Sequence, residues 1–219
     1  MSLRAIADVS CGDWLAGADP TLGPPGFEAY VRVLHPWAGG HDGDDDRVEG
    51  HLPEDELIAL TEVLAGHTRM PNDCFHALWD GYGDLVGGEA VRFLSFAAGP
   101  MAWPGRIFTK PKPLPPPPPA FAPEVMDGPR FRVQGRGHLL FAGPVTDAGR
   151  WGAVSFGHGI PRDINSPNVM WPSDHAWCVA TDIDSTWTGV GGSTALADDL
   201  LSDSRLEVVR TRHKSKEHP

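Results

Sequence analysis

Apolar residues along this chain fall into short runs separated by glycine and proline, and their spacing predicts the elements. Leu57, Leu60 and Leu64, with Ile58 and Val63 beside them, recur at helical intervals just after Leu52-Pro53-Glu54-Asp55-Glu56. Pro53 suits the first helical position, the acids oppose the positive end of the helix dipole, and Gly66 supplies a stop. A second helix is predicted from Asn72 or Asp73 to Trp79, burying Phe75, Leu78 and Trp79 and ending at Gly81 or Gly83. Ser193 caps a third, running from Thr194 to Leu201 with Leu196, Leu200 and Leu201 inward.

Alternation tips residues 27–34 towards strand, because Tyr30, Val31 and Val33 suit an extended backbone better than a helix. Residues 91–96, 137–143, 177–183 and 206–209 also read as strands. Residues 186–190 form the hairpin partner of 177–183, and residues 151–155 a weaker strand or helix. Helices and strands are segregated rather than strictly alternating, which predicts an α+β fold with a mixed or antiparallel sheet.

The run KPKPLPPPPPAFAP over residues 110–123 can join neither ladder nor helix, since proline lacks the N–H donor. It reads as a polyproline connection between two halves, residues 1–109 and 124–219, which either fold apart or share one core. As a ligand for an aromatic groove it is the less economical reading; a stiff loop suffices. The high proportion of glycine and proline implies much loop and turn, but a hydrophobic share of 41% is enough for a folded protein.

A formal charge of −11 argues against holding nucleic acid through bulk charge, which needs a positive surface to displace counterions. Basic residues gather only near the end, from Arg205 to Lys216, where a frayed terminus is the simplest account. Cys11, Cys74 and Cys178 are too scattered for a disulfide framework or a zinc knuckle and fit a reducing cytoplasm. No charged-then-apolar leader opens the chain, and no apolar run approaches the ~20 residues of a membrane helix. The expectation is a cytoplasmic protein that engages no membrane.

Candidate chemistry concentrates between Pro167 and Val209. Asp182 and Asp184 stand one residue apart on a predicted strand, so both carboxylates could grip one divalent cation, with Asp174 and His175 upstream to complete the site. The simpler reading has them ending the strand and capping its turn. Trp171, Trp177 and Trp187 supply contact area; Trp177 reads as core, and Trp171, between Met170 and Pro172, as the exposed one. His41 with Asp42, Asp44, Asp45 and Asp46 reads as a solvated acidic loop, without the spacing of a calcium loop. Gly189-Val-Gly-Gly-Ser193 lacks the lysine of a phosphate loop and reads as a turn. Cys74 and His76, placed on a helix, would not face one another, and no nucleophile elbow or paired-histidine array occurs.

The block Pro167-Asn-Val-Met-Trp-Pro-Ser-Asp-His-Ala-Trp-Cys-Val-Ala-Thr-Asp-Ile-Asp, followed by Gly191-Gly-Ser, resembles a family of actinobacterial proteins of uncharacterised function. Pro25-Gly-Phe-Glu-Ala-Tyr, Leu34-His-Pro, and Phe75 with Leu78-Trp-Asp-Gly-Tyr-Gly83 extend the likeness over most of the chain. That resemblance implies kinship and no activity. Met70 to Gly83 is also similar to the opening of SMI1/KNR4-like proteins, which implies an immunity or scaffold role. The expected function is binding of a protein partner through an acidic, tryptophan-bearing surface formed by Trp171, Asp174, His175 and Trp187. The alternative is a metal-dependent, hydrolase-like enzyme using Asp182, Asp184 and His175.

Overall fold

The computed structural model describes residues 3–38, 47–87, 116–133, 135–156 and 161–213. Among them nine strands form a single antiparallel sheet: β1 (Arg4–Ala5), β2 (Ala29–Leu34), β3 (Cys74–Trp79), β4 (Phe131–Val133), β5 (Arg136–Gly143), β6 (Val169–Pro172), β7 (Cys178–Ala180), β8 (Trp187–Gly192) and β9 (Glu207–Thr211). The order across the sheet is β1-β5-β3-β6-β7-β8-β2-β9, with β4 beside β5. Three helices among the same residues accompany it: α1 (Glu54–Gly66), α2 (Pro123–Met126) and α3 (Thr194–Ser202). The fold is α+β and its sheet antiparallel. Strands from both sides of the proline run interleave, since β3 lies between β5 and β6 while β2 lies between β8 and β9.

One sheet face carries the helices. Val31, Val33, Met170, Trp177, Val179 and Val190 pack there against Leu57, Leu60 and Leu64 of α1 and Leu196 and Leu200 of α3. Leu78, Leu139 and Phe141 continue this face under Leu85, Phe121 and Trp151. The opposite face is covered by the irregular N-terminal segment: Leu15 and Ala18 pack on Ala77, Leu140, Val169, Trp171 and Cys178. Gly189 lets this cover approach, because a Cβ there would lie 2.0 Å from the Thr21 carbonyl oxygen.

α1 ends at Gly66 as its spacing predicts, although Pro53 is the extended N-cap (ψ 164°) rather than the first helical residue, and Ile58 faces solvent. Ser193 caps α3, its Oγ accepting the Leu196 N–H at 3.1 Å. The expected helix over residues 72–79 is instead β3. Its Cys74, His76 and Leu78 enter the helix-covered face, while Phe75 and Ala77 enter the other. A central strand buried on both faces shows no alternation, so its unbroken apolar run imitates a buried helix. Cys74 and His76 therefore do share a face, contrary to the helical reading, and both are fully buried. The strand expected over 177–183 shortens to β7, and residues 151–155 form neither strand nor helix. The strand expected over 91–96, the acidic loop at His41 to Asp46 and most of the proline run lie outside the described residues. Among the described residues no helix is long and apolar enough to cross a membrane.

Candidate binding site around Trp14

Asp174 and His175 lie in the turn between β6 and β7. The Asp174 carboxylate accepts from Thr68 Oγ1 (2.8 Å), the Arg69 N–H (3.0 Å) and the Ala176 N–H (3.2 Å), tying this turn to the segment after α1. Burial opposes the charged form, but these hydrogen bonds outweigh it and hold the carboxyl below its ordinary value of 3.8. His175, one step on, has φ 54°, the only positive φ of a non-glycine among the described residues. Left-handed backbone costs such a residue about 1–2 kcal/mol, and the Asp174 clamp helps to hold it there. Asp174→Ala is expected to cost about 2 kcal/mol in urea unfolding at pH 7. Because the folded pKa is depressed, this contribution is complete above the ordinary carboxyl range and disappears as pH falls through the folded value, where wild type and variant converge.

The strained turn delivers His175 to Trp14. The two rings stack with centroids 4.1 Å apart and planes 13° from parallel. Trp14 lies in the 3₁₀ turn Ser10–Leu15, and Phe27 stands edge-on to it at 6.5 Å and 85°. Together with Ala16, Gly17, Ala18, Pro24, Pro25 and Gly26, the Trp14 and Phe27 rings line an open cavity of about 520 Å³. Its walls are mostly apolar and its size lies in the range of small-ligand clefts. The sequence reading missed Trp14. Its one signal was a tryptophan among glycines and prolines, outside any periodic run that a core would explain.

The other candidates lie elsewhere. Trp171 is 0% exposed and packs between Phe75 (5.4 Å) and Phe131 (5.3 Å), so its reading as the exposed tryptophan is corrected. Its place on β6, opposite Phe75 of β3, buries it beneath the N-terminal cover, which sequence spacing does not reveal. Trp177 is core, its Nε1–H donating to the Leu64 carbonyl at 3.1 Å. Trp187 is half-buried beside Leu34, with the Arg32 guanidinium 4.2 Å above its ring. A second such pair, Arg47 over Trp37 at 4.4 Å, borders it through the Arg47–Glu207 ion pair, Glu207 lying opposite Leu34.

Asp182 and Asp184 meet, but at an arginine. Arg136 Nη1 donates to Asp182 Oδ2 at 2.6 Å, and its Nη2 lies 3.6 Å from Asp184 Oδ2. Asp182 Oδ1 also accepts the Asp184 N–H at 3.1 Å, the turn-capping arrangement. His175 is not with them, because the turns holding it and Asp182 flank β7 at opposite ends. Among the described residues no group of three His, Cys, Asp or Glu side chains could hold a metal ion. Cys74 and Cys178 are buried free thiols, and burial raises the pKa of Cys74 to about 12 and that of Cys178 further.

No family model, curated protein or solved structure matches the chain.

Proposed function

We propose that this is a non-catalytic binding protein of the cytoplasm that engages a protein partner through an acidic, tryptophan-bearing surface centred on Trp14 and His175. The observation that carries this reading is the Trp14–His175 stack on a strained, clamped turn beside an apolar cavity. Strain of this kind persists where surrounding structure over-determines it, and the hot spots of protein interfaces are enriched in tryptophan. The charge of −11 and the three free thiols support the acidic surface and the reducing compartment.

The test is affinity capture from the native cell, followed by titration of the purified partner against wild type, Trp14→Ser and Trp187→Ser. Trp14→Ser is expected to weaken the complex at least about thirtyfold, as loss of a hot spot of about 2 kcal/mol would. Undiminished affinity in a folded Trp14→Ser variant would remove the proposal. The Trp187→Ser variant tells whether the surface extends across the sheet to the Arg32–Trp187 pair.

A further inference from the structure

Resting on that reading, we infer that the Trp14 cavity receives a cationic side chain of the partner, an ammonium on an aliphatic stem. His175 covers one face of the Trp14 indole, which fixes the tilt of the ring and leaves the other face to its surroundings. Phe27 stands at 85° to it, so the two rings form a corner. Electron-rich faces set at an angle attract a cation, while the apolar wall from Pro24 to Gly26 accommodates the stem of a long side chain.

The charge along the lining segment points the same way, with the His213 imidazole, 3.1 Å from the Gly23 carbonyl, joining His175 as a titratable base beside it. Every charged residue directly adjoining a lining position in sequence is acidic: Asp13, Asp19 and Glu28. Asp13 is solvent-exposed beside Trp14, whereas the other two carboxylates are held by backbone N–H groups, that of Glu28 at the start of α3. Asp19 Oδ1 accepts from the Thr21 N–H and hydroxyl and from the Leu22 N–H, and Glu28 Oε2 accepts the Thr194 N–H at 3.0 Å. Among the described residues no arginine or lysine lines the cavity. A purely apolar ligand would gain nothing from this arrangement of charge, and an anionic one would be repelled.

Two probes of equal backbone separate the possibilities: N-acetyl-lysine methylamide and its apolar counterpart N-acetyl-norleucine methylamide. Each is titrated into the whole protein at low salt, following the Trp14 indole N–H resonance, which Trp14→Phe identifies by its disappearance. The lysine probe is expected to bind about three- to fivefold tighter, with the preference shrinking in high salt and in Asp13→Asn. Equal binding of both probes would overturn the cationic assignment while leaving the binding surface in place. Binding of neither would overturn it too. Partner affinity unchanged in Trp14→Ser would defeat the broader reading whatever the small probes do.

Discussion

Lowering the pH from 7 towards 4.5 is expected to unfold this protein, because three buried histidines must take up protons that the folded state excludes. His35, His76 and His138 are at most 5% exposed, and burial pulls each of their pKa values from 6.5 down to about 4. His35 shows what the neutral form does. The Val48 carbonyl, 2.7 Å away, can only accept, so Nδ1 carries the proton, and Nε2 accepts from Thr188 Oγ1 at 2.9 Å. That hydroxyl is joined in turn to Thr181 at 2.8 Å, so a proton on Nε2 would reverse a buried chain.

The sign follows from proton counts. Between pH 6.5 and 4 the unfolded chain binds these protons and the folded chain does not, so stability falls as pH falls. Each histidine contributes about 2 kcal/mol of loss by about pH 5 and about 3 kcal/mol by about pH 4, against a typical total of about 5–15 kcal/mol. Urea midpoints measured from about pH 7.5 to 4.5 should drop steeply below the ordinary histidine pKa, and His138→Gln should flatten part of the slope. A midpoint constant over that range would mean the histidines are not held neutral by burial. The depressed carboxyls of Asp19, Asp174, Asp203 and Glu207 lose their contributions from about pH 5 downward, so the histidine effect is read from the slope above that.

Trp177→Ala is expected to destabilise the protein by about 4 kcal/mol, the range for removing a buried tryptophan. Trp177 is 0% exposed in the cluster joining α1, α3 and the sheet, and its indole N–H joins the His67 N–H in donating to the Leu64 carbonyl near the end of α1. Trp177→Phe keeps most of the packing but removes one of the two donors to that carbonyl, so a loss of about 1 kcal/mol is expected. Differential scanning calorimetry of the two variants separates these contributions. A loss below about 1 kcal/mol for Trp177→Ala would show that the two helices do not depend on this contact. The variant should leave the Trp14 cavity chemistry intact, since that cavity lies on the opposite sheet face.

Much of the architecture was legible in residue order. Helix α1 follows from its leucine spacing, acids and Gly66; α3 from Ser193 and its leucines; the β7–β8 hairpin from the sequence around Cys178 and Trp187. These are local signals, decided within a turn or two of chain. The turn-capping role of Asp182 was likewise readable, being a contact over two residues. The Arg136 that occupies both carboxylates was not, because it arrives from a strand 46 residues away in sequence.

What tertiary structure alone decided has one physical cause: burial depends on what lies across the sheet, and sequence spacing carries no record of it. β3 became a strand because β5 and β6 bond both its edges, overriding the helical spacing of Phe75, Leu78 and Trp79. Trp171 became core because the N-terminal segment folds over it, while Trp14 of that same segment was left half-exposed beside His175. The sequence by itself determined an acidic α+β chain with α1, α3 and the β7–β8 hairpin in place; only the packing of residues 6–27 against the sheet determined which tryptophan is buried and which reaches the surface.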